Sequence, residues 1–387
     1  MQSVSATTYA VAGAGLIAMS YGLARFAFGL YVPSIRGELD LTAGVTGVVG
    51  AMAYVSFSLA SLLAAPVAGY LGARGAAILA SLFGLFGLLT ISGAAGAWTL
   101  GIGVFACGIC TGLMMPALTA GMQSAVPAFV HGRVSAVMNS GTSIGVIVSV
   151  PTVVLLTDLW REAYFGFALI AFLCALVAWR LVPHASRARR AQEGIARLAR
   201  SRRSPLLRLV VFGLGMGVVS STYWVFAPDM AVAAGGLDSS ATGWMWLALG
   251  LAGLGGAAAG DLADRCGVAR TQGLAFAVMS LSLVVLALAP GSIGLAVFSA
   301  ALFGLVYMIL TGIHLVAGVR LLPERQSLGA AVPFLAIAVG QAAGSPVTGA
   351  LVDRMGHIEA FVVMSIVGAL FVLGFRWFPE TRPLQGP

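Results

Sequence analysis

The chain has 387 residues, of which 59% are hydrophobic and 9% charged, with a net charge of +8. Soluble domains carry about 25% charged residues, and a mean hydropathy of +0.99 leaves too little polar surface to cover a water-soluble globule. A cytosolic enzyme and a nucleic-acid-binding domain are thereby excluded, and lipid becomes the solvent for most of the surface.

Within a bilayer only α-helices and closed β-barrels satisfy every backbone polar group. The apolar runs reach about 20 residues or more, the length of a spanning helix rather than of a tilted barrel strand. Twelve helices are predicted, near residues 8–32, 43–68, 74–93, 97–122, 134–156, 162–182, 207–229, 240–262, 269–289, 292–318, 327–351 and 357–378. The first is too long for a secretory signal, and no basic residue precedes Arg25.

Helix one carries Tyr21-Gly22-Leu23-Ala24-Arg25-Phe26-Ala27-Phe28-Gly29, with Arg25 toward the outer end of the predicted span. An arginine there costs about 2.5–3.5 kcal/mol on insertion scales, so it must face a cavity or a partner. No carboxylate lies at comparable depth. A planar guanidinium suits carboxylates, which makes Arg25 a candidate receptor for an anionic substrate. Tyr21 and Phe28 share its face. The alternative is a structural arginine that bonds backbone carbonyls or snorkels outward. Gly13-Ala14-Gly15 imitates a dinucleotide loop, but no strand, βαβ unit or acidic follower accompanies it.

Helix four holds Cys107 and Cys110 at a redox or zinc spacing with no further ligands nearby, which reads as a small-residue helix face. Helix five holds Asn139, a polar group read as interhelical glue or a ligand contact, then Gly141, Gly145 and Pro151. Gly141-Thr142-Ser143-Ile144-Gly145 spells a nucleophile elbow, yet it lies inside a span with no preceding strand. After helix six, Arg187, Arg189, Arg190, Arg197, Arg200, Arg202, Arg203 and Arg208 surround a lone Glu193, a basic linker expected to lie on the anionic inner leaflet. Tyr223 in helix seven follows Ser220, Ser221 and Thr222 and occupies roughly the repeat position of the Arg25 region. Helix ten holds Tyr307 and His314. A histidine changes charge near neutral pH, so His314 is the candidate for proton coupling, or else a neutral hydrogen bonder between helices. Gln341, in helix eleven with Gly340, Gly344 and Pro346, is glue or a ligand contact.

The chain repeats itself. Gly145, Pro151 and Asp158 recur as Gly340, Pro346 and Asp353, each 195 residues downstream (340 − 145). Val32-Pro33 recurs as Ala227-Pro228. This describes parallel repeats: an N-terminal six-helix bundle over 1–183, a cytoplasmic linker over 184–206 and a C-terminal bundle over 207–387. All 21 basic residues are arginine. With both termini inside, only Arg36, Arg161 and Arg354 fall outside, while Glu38, Asp40, Asp158, Glu162, Asp229, Asp238, Asp353 and Glu359 gather there, the expected positive-inside bias. Trp98, Trp160 and Trp244 near the outer boundary and Trp179 and Trp377 near the inner one make an aromatic belt, to which Trp224 is also assigned.

After helix eight comes Gly260-Asp261-Leu262-Ala263-Asp264-Arg265-Cys266-Gly267. It resembles the Gly-x-Leu-Ala-Asp-Arg-x-Gly loop of the major facilitator superfamily. The loop after helix two, Gly69-Tyr70-Leu71-Gly72-Ala73-Arg74-Gly75, keeps the glycines and an arginine but lacks the aspartate. Arg133 and Arg325 sit in short inner loops that also match. The resemblance covers essentially the whole chain. It implies an all-α membrane fold of the twelve-helix bacterial type, two pseudo-symmetric six-helix bundles around a central cavity. It also implies an inner-membrane location and a cytoplasmic gate built from Gly260, Asp264, Arg265, Gly267, Arg133 and Arg325. Asp264 is expected to accept backbone amides at a neighbouring helix N-terminus. The expected activity is secondary transport of a small organic solute, an anion on the evidence of Arg25, without a cofactor beyond a coupled proton. A monomer in lipid is expected. Efflux of hydrophobic or aromatic compounds, and a non-transporting sensor or assembly protein, are the alternatives.

Overall fold

The computed structural model describes residues 5–155, 159–184 and 200–381. Asp158 and the linker residues Arg187, Arg189, Arg190, Glu193 and Arg197 lie outside them, as do the side chains of Arg200 and Arg202. Among the described residues the chain forms twelve helices. The first, α1, is Ala6–Leu39. The helical run Ala43–Ser92 breaks at Gly72, whose φ of 74° and ψ of 169° are not helical; this gives α2 (43–71) and α3 (73–92). Then follow α4 (Ala97–Ala125), α5 (His131–Leu155), α6 (Trp160–Leu181) and α7 (Arg200–Ala233). The remaining helices are α8 (Ser239–Cys266), α9 (Val268–Leu288), α10 (Ile293–Leu321), α11 (Gln326–Met355) and α12 (His357–Leu373).

One boundary differs from expectation in a way that matters. Helix α1 continues through Pro33 to Leu39, so Arg36 and Glu38 occupy its last turns instead of a loop, and Arg25 sits near its midpoint. A spanning helix tolerates an internal proline when neighbours satisfy the freed carbonyls. The duplication is visible in the backbone as well. Gly72 and Gly267 (φ 85°, ψ 148°) stand 195 residues apart (267 − 72), and each makes the break between consecutive helices where only glycine is at ease.

The chain divides into two compact units, Met1–Leu41 with Met52–Glu193, and Thr42–Ala51 with Gly194–Pro387. In unit 1, α1 and α5 touch backbone to backbone. A Cβ on Gly145 would strike the Ala18 carbonyl and the Gly22 Cα, and one on Gly141 would strike the Ala14 carbonyl. In unit 2 the contact recurs in register between α7 and α11, where a Cβ on Gly340 would strike the Leu214 carbonyl and the Gly217 Cα. Lipid tails are as apolar as leucine, so helices here associate by close packing, which small residues permit. The glycines of the apparent nucleophile elbow are therefore packing residues in mid-helix. The cysteines of α4 behave alike: Cys107 and Cys110 are buried and free, their sulfurs against Gly87 and Gly84 of α3.

Polar staples close the helix ends. In unit 1, Glu38 accepts from Trp160 Nε1 (2.5 Å) and Arg161 Nε (2.9 Å) and pairs with Arg161 Nη2 (2.8 Å). Arg161 Nη1 also donates to the Ser92 carbonyl at 2.9 Å, joining α1, α3 and α6. Trp160 is 1% exposed and thus not part of a lipid-facing belt; its indole N–H is engaged by Glu38. Trp98, Trp179, Trp244 and Trp377 are exposed.

Gly145→Ala and Gly340→Ala should each destabilise the protein by about 1–3 kcal/mol through overpacking. Gly15→Ala, whose Cβ meets nothing within 4 Å, should leave the melting temperature in detergent unchanged. Equal melting of all three variants would contradict the glycine contacts described above.

Candidate functional site

From Ala18 to Phe26, α1 winds as a π-helix, a rare wide turn often found at functional sites. Ser20 supplies a local reason. Its carbonyl accepts from Thr111 of α4 at 2.9 Å, an external partner inside the distorted stretch. Tyr21 and Arg25 both project from this stretch toward α2. The Arg25 guanidinium lies 4.6 Å from the Phe57 ring centroid, 4.8 Å from Tyr54 and 5.1 Å from Phe26. Tyr21 meets Phe57 edge-on at 6.3 Å. Arg25 is 8% exposed.

Magnitudes explain why the charge is tolerated. Burial costs about 2.5–3.5 kcal/mol on insertion scales, and each desolvated cation–π contact returns about 0.5–2 kcal/mol. Three rings can carry most of the cost. The acidic residues described in unit 1, Glu38, Asp40 and Glu162, stand at helix ends. Phe28 is buried (5% exposed), but the rings over the guanidinium are Phe26, Tyr54 and Phe57; sequence reasoning missed all three. Tyr54 and Phe57, three apart on one face of α2, were the available signal. Asn139 is exposed, which removes its reading as buried interhelical glue.

In unit 2 the structure brings Tyr223, Tyr307 and Gln341 together from α7, α10 and α11. Gln341 Nε2 donates to Tyr307 Oη at 3.3 Å and to Ser220 Oγ at 3.5 Å. Ser299 Oγ donates to the Ser282 carbonyl at 2.7 Å, so the Tyr223 hydroxyl, 2.9 Å from Ser299 Oγ, is the donor of that pair. Tyr223 stacks on Phe303 with centroids 4.1 Å apart, and Phe303 on Tyr307 at 5.7 Å. Trp224 meets Phe303 and Tyr307 edge-on and touches Trp246. Trp224, expected in the belt, is 2% exposed; it belongs to this cluster. His314 stands apart, fully buried, with Nδ1 bonded to the Leu310 carbonyl at 2.8 Å and its ring edge-on to Phe378 at 5.5 Å.

At the turn between α8 and α9, Gly267 supplies the positive φ and its carbonyl accepts from Thr271 Oγ1 at 2.9 Å. Asp264 does not take backbone amides. It pairs with Arg320 Nη2 at 2.5 Å, because the last turn of α10 places a guanidinium within its reach. Arg320 of α10 is thus a partner of this loop. Arg265 and Arg133 are exposed, Gly260 meets nothing within 4 Å, and Arg325 lies in the turn Pro323–Arg325. The equivalent turn of unit 1 is fastened by Arg74 Nε donating to the Val182 carbonyl at 2.7 Å.

Ten apolar helical runs long enough to cross a membrane among the described residues, one of them broken at Gly72, and the shorter apolar helix α12 mark a multi-pass membrane protein. A family model described as Major Facilitator Superfamily matches residues 14–332. The chain belongs to that superfamily. Among solved structures it is similar to the nucleoside transporter NupG (TM-score 0.80, 13% identity, covering 95% of this chain and 99% of that one). It is also similar to a D-xylose–proton symporter (0.79, 16%, 97% and 98%). A POT family transporter in complex with 5-aminolevulinic acid is a third (0.77, 13%, 96% and 95%). No curated protein sequence matches it.

Because Asp264 is about half exposed (52%), its bond to Arg320 should contribute little to stability. A double-mutant cycle of Asp264→Asn and Arg320→Gln should give a coupling below about 1 kcal/mol in thermal unfolding. A coupling of several kcal/mol would make the pair a structural keystone instead of a loop fastening.

Proposed function

We propose that the protein is a secondary active transporter that moves a small organic anion across a cell inner membrane by alternating access, as a monomer in lipid with both termini cytoplasmic. The observation that carries the anion reading is Arg25. It lies near the midpoint of α1, in a π-helical stretch and over three aromatic rings. A planar guanidinium is suited in general to carboxylates. Tyr21 and Phe28 on α1, Asn139 on α5, and the Tyr223, Tyr307 and Gln341 set of unit 2 are the further substrate-handling candidates. A neighbour of the same fold holding 5-aminolevulinic acid supports an organic-acid cargo, and one described as a proton symporter supports coupling to protons.

One observation favours a second reading, efflux of aromatic compounds: the Tyr223–Phe303–Tyr307 stack with Trp224 against it. The two readings separate in one experiment. Purified protein is heated with a panel of small carboxylates and, separately, lipophilic cations, each well above its dissociation constant. A ligand at about 100 times its Kd adds about 2.7 kcal/mol of stability. Carboxylates should raise the melting temperature of the native protein and not of Arg25→Ala, with Arg25→Lys between them. Protection that survives Arg25→Ala, or that only cations give, would defeat the anion reading.

His314 is the proton-coupling candidate the sequence offers, and its sealed surroundings suit a packing histidine equally. In proteoliposomes driven by a pH gradient, a His314→Gln variant that keeps full flux would place coupling elsewhere; loss of the gradient dependence alone would assign it to His314.

A further inference from the structure

Helix α7 ends at Ala233 and α12 begins at His357. Asp229 lies about one turn before the first of these ends, and its Oδ2 is 2.7 Å from His357 Nε2. A helix C-terminus disfavours an anion and an N-terminus disfavours a cation, so each group stands at the wrong end of its own helix and their contact offsets both. The pair is nearly dry, with side-chain exposures of 13% for His357 and 5% for Asp229.

Unit 1 builds the same staple from Glu38 in the last turn of α1 and Arg161 in the first turn of α6. That pair is wetter, at 31% for Arg161 and 47% for Glu38. Its guanidinium keeps its charge at any working pH, whereas an imidazole does not. The two units therefore share a fastening, built with a guanidinium in unit 1 and an imidazole in unit 2.

We propose that Asp229 and His357 form a proton-binding site of unit 2: a second proton on the imidazole makes it a cation, countered through Nε2–H by the Asp229 carboxylate, that locks α7 to α12, and release of the Nδ1 proton to water leaves a weaker neutral hydrogen bond and loosens them. The other charged groups at this end of unit 2 are Asp238, Asp353, Arg354 and Glu359. Asp238 is held by Ala241 N and Ser240 Oγ, and Asp353 by the amides of Ala43 and Gly44. Helices α9 and α10 bring none here, their Arg270 and Arg320 lying at the opposite ends. The proposal stands apart from the reading of Arg25.

The test uses the full-length protein in lipid nanodiscs with no organic anion added, so its outcome says nothing of Arg25. Melting temperature is followed from pH 5.5 to 8.5 for the native protein, His357→Gln, His357→Arg, Asp229→Asn and His314→Gln. The native protein and His314→Gln should lose about 2–4 °C as pH rises. His357→Arg should hold its melting temperature across the range, and His357→Gln and Asp229→Asn should melt low throughout. A native profile without slope, or a slope kept in both His357→Arg and Asp229→Asn, would overturn the proposal.

Discussion

Lipid removes the force that holds most folds together. Burying one apolar helix against another gains almost nothing when the alternative neighbour is hydrocarbon, so cohesion must come from how closely backbones approach. The contact of Gly22 with Gly145, and its copy between Gly217 and Gly340, is that approach. It also sets the position of the functional side chains. Arg25 and Tyr21 flank Gly22 on α1, and Tyr223 follows Gly217 on α7. The glycine faces turn toward α5 and α11, which leaves the remaining faces of α1 and α7 to carry chemistry.

The polar groups inside the units follow from the same scarcity of water. Tyr9 donates to the Leu118 carbonyl at 2.6 Å, Thr222 shares a hydrogen bond with Thr348 at 2.8 Å, and Ser345 donates to the Gly47 carbonyl at 2.8 Å. Many of the remaining hydroxyls bond a carbonyl three or four residues back on their own helix, such as Ser58 on Tyr54 and Ser81 on Ala77. Arg25 differs in kind, since three aromatic rings lie against its guanidinium. Aromatic faces attract a cation, and three of them help to hold this guanidinium inside the unit.

What the sequence made legible was periodic. A 195-residue offset marks glycines whose role is geometric, and geometry survives duplication. Hence Gly145 and Gly340 appear as packing positions, and the loop holding Gly72 and Gly267 as a tight turn. What it concealed was partnership across helices. Nothing in the local pattern tells that Glu38 reaches Trp160, that Arg320 reaches Asp264, or that Tyr54 and Phe57 lie beside Arg25. Tryptophan misled for a related reason. Trp160 and Trp224 have the sequence position of interface residues, but one is drawn inward by a carboxylate and the other by stacked rings. Helix length misled as well: Pro33 reads as a boundary, yet α1 continues through it to Leu39.

The acids at three helix ends obey one rule. Glu38, Asp229 and Asp353 each sit near the C-terminus of their own helix, α1, α7 and α11, where the dipole opposes a negative charge. Each is compensated by a group at the start of another helix: Arg161 at α6, His357 at α12, and the amides of Ala43 and Gly44 at α2 (2.9 and 2.7 Å). The third case completes the accounting of orphan amides at that helix start. Val45 N finds Thr42 Oγ1 at 3.2 Å and Thr46 N finds the Thr42 carbonyl at 3.0 Å, so every amide of the first turn has a partner. Helix α8, the counterpart of α2, instead uses its own Asp238 as cap. The duplicated frame is thus fixed by glycines that cannot change without collision, while the caps and staples have diverged because several chemistries satisfy the same end. Divergence there leaves the frame intact, which is why the two units can share a skeleton and differ in the groups that fasten their ends.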